Sequence, residues 1–127
     1  MEEEFTIQQV AKMTGLSAHT LRYYERIGLL HAVNRNTNGY RRYSSADIAW
    51  IEFLTRLRKT GMPIRTMQHF AHLRNKGNET VHERRVLLEK HQNEVQNRLN
   101  DLQQNLIALE AKIQLYKRLE VQDETDD

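Results

Sequence analysis

No cysteine occurs among the 127 residues, which excludes a disulfide framework and every thiolate metal site. Long apolar runs are missing as well and no signal-peptide pattern is present, so the protein is expected to be soluble and cytoplasmic, with no membrane partner. There are no paired carboxylates in an apolar setting, no nucleophile motif and no glycine-rich phosphate loop, and these absences argue against an enzyme. The five glycines and the single proline all lie outside Thr80 to Glu120. A chain of this length is expected to hold one compact domain plus an extension. Its net charge of +2 is spread unevenly: residues 1–80 carry 12 Lys and Arg against 7 Asp and Glu, while residues 81–127 carry 7 against 10. A basic half suits a nucleic acid bound with steep salt dependence, although charge alone does not separate DNA from RNA.

What is present is densest between Ser17 and Tyr43, SAHTLRYYERIGLLHAVNRNTNGYRRY. Ahead of it, Thr6 and Gln9 have the spacing of a capping box, Phe5 and Val10 can staple the entry, and Ile7, Val10 and Ala11 mark an apolar face. This predicts a first helix from about Thr6 to Thr14. Gly15 permits the turn, Leu16 can fill the corner, and Ser17 is a good N-cap for a second helix. On that helix Leu21, Tyr24 and Ile27 recur at helical spacing and would bury one face. Ala18, His19, Arg22, Glu25 and Arg26 fall on the other, with Thr20 beside them. In a helix-turn-helix the N-terminal residues of the second helix meet base edges, which makes Ala18, His19 and Arg22 the candidate readers. Arg22 suits a bidentate contact to guanine; the plainer alternative is a solvated arginine paired with Glu25 or with neighbours of Arg26.

Past Gly28, which reads as a helix stop, come Leu29, Leu30, Ala32 and Val33, then Asn34 to Gly39 and Tyr40, Arg41, Arg42 and Tyr43. Asn38 with Gly39 is a strong turn signal. Two short strands about this turn would form a wing carrying Arg35, Arg41 and Arg42, whose guanidinium groups match phosphate, with Tyr40 adding a directional donor.

These residues resemble the MerR family of bacterial transcription regulators. The resemblance runs through TIQQVAKMTGLSAHTLRYYERIGLL, NGYRRYSSADI and FLTRLRKTGMPI, and extends over residues 5–120. It implies a mainly α fold: a winged helix-turn-helix, a supporting helical pair, and a long C-terminal helix that dimerises as an antiparallel coiled coil. It also implies regulation by distortion of promoter DNA, with RNA polymerase as an indirect partner. By the family pattern Arg22 lies at the major groove, and Tyr23, Tyr40 and Arg41 lie on phosphate. Tyr24, in the same motif, either touches phosphate or seals the core. The family's basic residues near the end of the third helix sit beside phosphate, which nominates Arg58 and Lys59; as charges at a helix C-terminus they need no DNA.

The middle of the chain reads as support. Ser44 with Asp47 is a capping box, Tyr43 and Ile48 can staple it, and Ile48, Ile51, Phe53, Leu54 and Leu57 run along a helix ending at Gly61. Trp50 is expected to pack against the winged unit. Pro63 begins a fourth helix, with Ile64, Met67, Phe70, Ala71 and Leu73 inward, and Gly77 stops it.

From about Thr80 to Glu120 the apolar positions follow a heptad. Leu88, Val95, Leu102, Leu109 and Tyr116 form one column and Leu99, Leu106 and Ile113 the other, the pattern of a two-stranded coiled coil. An antiparallel pairing can bring Glu89 towards Lys117 of the second chain, whereas a parallel one faces Lys112 with Lys117. The domains are thus expected at 1–76 for DNA binding, 80–120 for dimerisation, and 121–127 as an acidic, disordered tail.

Metal-responsive relatives implied by the resemblance use cysteines flanking the dimer helix, and this chain has none. His69 and His72, with His82 and His91 beyond, lack a carboxylate at ligand spacing and read as solvated or capping histidines, so neither a metal nor a cofactor is expected. The function expected is that of a homodimeric regulator binding double-stranded promoter DNA at a near-palindromic site. The alternative is an architectural or adaptor protein whose coiled coil recruits a protein partner.

Overall fold

The computed structural model describes residues 3–31 and 35–125. Local sequence chemistry accounts for most helix boundaries. The first helix, α1 (Ile7–Thr14), starts from a complete capping box: the Gln9 amide donates to Thr6 Oγ1 at 3.1 Å, and the Thr6 amide donates to Gln9 Oε1 at 2.8 Å. Gly15, at φ +77°, ends it in a left-handed conformation that L side chains rarely adopt. Ser17 then caps α2 (Ala18–Arg26), its hydroxyl accepting from the Thr20 amide at 3.0 Å. A second capping box, Ser44 with Asp47, opens α3 (Ser45–Lys59). Pro63 sits at the N-cap of α4 (Ile64–Asn75), where its missing amide costs nothing.

One core joins these helices. Val10, Leu21, Tyr24, Leu29, Tyr43, Ile51, Leu54 and Met67 are buried in it, and Phe5, Leu16 and Phe53 pack partly buried at its edge. Trp50, as expected, ties α3 to the segment that follows α2: its indole N–H donates to the Leu29 carbonyl at 2.8 Å. The ring stacks on Phe70 at 5.8 Å between centroids, and the Arg74 guanidinium covers it at 4.3 Å. Gln68 Nε2 donates to the Ile27 carbonyl at 2.9 Å, fixing α4 to the end of α2. After α4 a 3-10 turn (Asn78–Thr80) leads into α5 (Val81–Thr125). The buried Thr80 hydroxyl donates to the Leu73 carbonyl, and Arg84 braces the turn through Thr80 Oγ1 and the Gly77 carbonyl.

The β structure differs from expectation. Two strands were expected about Asn38 and Gly39; among the described residues the loop closes through an antiparallel bridge between Arg35 and Arg41, and the Asn36 amide donates to the Tyr40 carbonyl at 2.9 Å. Asn36 holds the turn through its side chain as well: its Oδ1 accepts from the amides of both Asn38 and Tyr40 at 3.0 Å. Ala32 and Val33, placed before the turn by the sequence, lie outside the described residues. The sheet proper pairs β1 (Glu4–Phe5) antiparallel with β2 (Tyr43–Ser44), in register Glu4 with Ser44 and Phe5 with Tyr43. A strand of two residues has no periodicity to show in sequence.

The chain divides into two compact units, up to Leu88 and from Glu89 onward. Leu88, assigned from sequence to the dimerisation column, instead packs partly buried with Leu87 against the core of the first unit, because the first two turns of α5 belong to that unit. In the second unit Leu99, Leu102, Leu106, Leu109, Ile113 and Tyr116 are all exposed, and Val95 is partly covered. A second correction concerns the tail. Order was expected to end at Glu120, yet α5 continues to Thr125, since nothing from Val121 to Thr125 breaks a helix and propagation is cheap once a long helix exists. Asp126 and Asp127 lie outside the described residues. No helix among the described residues is long and apolar enough to cross a membrane.

Candidate nucleic-acid interface

Burial of Leu21 and Tyr24 turns the opposite face of α2 outward. His19, Arg22 and Arg26 are exposed there, while Ala18 and Thr20 are half-buried. Ala18 packs against the core edge, and the Thr20 hydroxyl bonds Ser17 Oγ at 3.0 Å. Among the described residues Arg22 has no hydrogen bond or ion pair. The carboxylate that sequence reading offered it, Glu25, is taken by Arg41, whose Nε donates to Glu25 Oε2 at 2.7 Å. That pair is largely shielded, with side-chain exposures of 24% for Arg41 and 16% for Glu25. It fastens the wing loop to the second helix. Tyr23 is half-buried beneath the Arg26 guanidinium, which lies 5.4 Å from its ring centroid.

Of the two roles open to Tyr24, burial selects the core: the residue is 1% exposed, so its assignment as a DNA contact is corrected. It belongs to the inward row of α2 with Leu21, and the ring is needed there to fill volume. Tyr40 is the opposite case, at 69% exposure on the wing. Arg35 Nη1 donates to the Gly39 carbonyl at 3.0 Å, bracing the turn that presents it.

Two clefts flank this face. One, of about 430 Å³, lies between the start of α1, Arg22 and the wing, and is lined by Thr6, Gln8, Arg35, Tyr40, Arg41 and Arg42 among others. The other, of about 550 Å³, lies between α2 and the end of α3. Its apolar floor comes from Leu16, Tyr23 and Tyr24, and His19, Thr20, Arg58 and Lys59 surround it. The fold thus brings the expected residues into two groups separated by the exposed face of α2. Thr6, Gln8 and Thr55 line these clefts too and were not singled out from sequence. Thr6 was read only for its part in starting α1, and Gln8 and Thr55 carry no periodic or charge signal of their own within the motifs that contain them.

Tyr43 lies beneath the wing, fully buried. Burial raises its phenol pKa above the ordinary value of 10.0; Glu25 adds to the rise, and Arg41 and Arg22 oppose it. Its hydroxyl has no hydrogen-bond partner among the described residues. No group of three or more His, Asp or Glu able to hold a metal ion is found among the described residues. His69, His72 and His82 are exposed, and His82 Nδ1 is 3.2 Å from an Arg85 nitrogen.

Comparison with known proteins places this geometry. The model of the MerR HTH family regulatory proteins matches residues 5–73, and that of the MerR DNA-binding segment matches residues 48–112. An HTH-type transcriptional regulator of Haemophilus influenzae is 34% identical over 114 residues, covering 90% of this chain and 84% of that protein. Among solved structures, a MerR family transcriptional regulator from Listeria monocytogenes superposes with a TM-score of 0.89 at 34% identity, covering 97% of this chain and 95% of that one. HiNmlR, a MerR family regulator lacking the sensor domain and bound to promoter DNA, superposes with a TM-score of 0.82 at 34% identity, covering 91% and 92% of the two chains.

Proposed function

The chain belongs to the MerR family of HTH regulatory proteins and is a DNA-binding transcription regulator, not an enzyme; from that membership we propose that it acts as a homodimer on a near-palindromic promoter. The observation that carries the reading is the Arg22 guanidinium, exposed and free of any protein partner among the described residues, with a basic-rimmed cleft on either side. In this reading His19 and Arg22 enter the major groove, where an arginine spanning guanine O6 and N7 discriminates by about 1–3 kcal/mol per base. Tyr40, Arg41 and Arg42 hold phosphate on the wing side; Thr20, Tyr23, Arg58 and Lys59 hold it on the α3 side. Arg26, lying over Tyr23, adds charge between them.

The apolar column of α5 from Leu99 to Tyr116 supplies the dimer contact, since an exposed row of this kind is covered by a second helix in stable proteins. Two reading heads so joined suit a two-fold symmetric site. Bending or untwisting that site costs on the order of 1–6 kcal/mol, which contacts on both sides of each head offset. The distortion would realign promoter elements for RNA polymerase.

Selection of bound duplexes from a random-sequence library at near-physiological salt, followed by footprinting, tests this. A two-fold symmetric site is expected. Arg22→Ala should reduce the affinity ratio of selected over random DNA by roughly tenfold or more. Equal losses on both DNAs would remove Arg22 from base reading, and the absence of an enriched symmetric sequence would overturn the dimeric reading.

A further inference from the structure

Among the described residues one buried side-chain polar atom lacks a hydrogen-bond partner, the Tyr43 hydroxyl. A buried hydroxyl left alone weakens a fold, and native structures seldom keep one without a use. Packing does not require it here: Tyr43 is 0% exposed, and a phenylalanine ring would fill the same core position. The groups around the phenol are informative. Arg41 and Tyr43 stand two residues apart on one extended segment, so their side chains share a face. The charges that act on the phenol are Glu25, Arg41, Arg22 and Asp47, in that order. Asp47 is committed to the capping box, accepting from the Ser44 amide at 2.9 Å. Glu25 is committed, among the described residues, only to Arg41, at 2.7 Å. Arg41 in turn lines the cleft that Arg22, Arg35 and Arg42 share.

We infer that Tyr43 is a positioning residue of the DNA-bound state: as Arg41 turns from Glu25 to a backbone phosphate in the arginine-lined cleft, the Tyr43 hydroxyl donates to the Glu25 carboxylate in its place. The inference rests on the reading of Arg41 as a phosphate contact given above. Without the exchange, Arg41 would leave behind a shielded carboxylate with no donor beside polyanionic DNA, which is the costly arrangement for a charge in such a setting. With it, Glu25 stays anchored, and the wing keeps its attachment to α2 through Tyr43. The phenol retains the proton it must donate, because burial opposes its ionisation. The free protein leaves the hydroxyl idle, and the complex uses it.

A double-mutant cycle reads this out. Melting temperature, affinity for the selected duplex, and its salt dependence are measured for the wild type, Tyr43→Phe, Arg41→Ala and the double variant. Tyr43→Phe should leave the melting temperature unchanged or higher, yet weaken DNA binding by about three- to tenfold, the scale of one hydrogen bond. In the Arg41→Ala background Glu25 is free before DNA arrives, so Tyr43→Phe should now lower the melting temperature and leave affinity unchanged. A lower melting temperature for Tyr43→Phe in the wild-type background, with no loss of affinity, overturns the exchange. If Arg41→Ala changes neither affinity nor salt slope, the phosphate reading of Arg41 fails and takes the exchange with it. If Arg41→Ala weakens binding while Tyr43→Phe does not, the exchange fails alone.

Discussion

A phenol held in a dry place resists ionisation, and Tyr43 is such a group. Burial and the Glu25 carboxylate raise its pKa above 10.0 in the folded protein, whereas in the unfolded chain it ionises from about pH 10. The raised value means that its contribution to stability is fully present below about pH 10 and is lost as pH climbs through the folded pKa. The melting temperature is therefore expected to fall as pH rises past 10, and to fall less steeply for Tyr43→Phe. Parallel curves for the two proteins would show that other groups carry the alkaline loss. The two tyrosines of the RYYE motif show how far such roles are legible in sequence. Helical spacing already put Tyr24 on the inward row, and burial decides for that row over the family's phosphate alternative. The partner of Arg41 was not legible, because Glu25 is 16 positions away and the two meet only after the loop folds back on α2.

Elements were most legible where their chemistry is local. Both capping boxes, at Thr6 and Ser44, were visible as residue pairs three apart, and both form. The turn of the helix-turn-helix depends on Gly15 in the left-handed region at φ +77°, with open space where a Cβ would lie. Gly15→Ala therefore meets no clash, and its cost is purely conformational, about 1–2 kcal/mol. A melting-temperature drop of several degrees is expected, with less for Gly15→Asn, since asparagine tolerates this region better. A loss as small as that of a solvent-exposed helix substitution would mean that the turn relaxes into another geometry. The β1–β2 pair was hidden from sequence because it joins residues 38 and 40 positions apart, and the wing was legible as a turn but not in the detail that depends on where Asn36 Oδ1 points.

At the scale of the whole molecule the governing fact is a 45-residue helix with apolar side chains in the open. Its heptad was legible because a 3.5-residue repeat persists over several turns without Gly or Pro. Its upper boundary was not, since Leu88 has the right letter and the right spacing yet belongs to the first unit's core. Leu106, 64% exposed in mid-column, is the position to break. The wild type is expected to sediment as a dimer and Leu106→Glu as a monomer. The variant's affinity for a symmetric duplex should drop by about a hundredfold, the scale lost when two linked binding events become independent. Half-site binding should persist, because residue 106 lies outside the first unit. Unchanged sedimentation would remove this column from the contact.

The chain has one tryptophan, and its indole is pinned by the Leu29 carbonyl, stacked on Phe70 and covered by Arg74. The protein therefore carries a built-in fluorescent gauge at the joint between the α1–α2 segment and the α3–α4 pair. Light emitted by that single ring reports how wet and how tightly held the joint is. A shift in emission colour during a DNA titration thus registers strain arriving at the joint, with no dye attached.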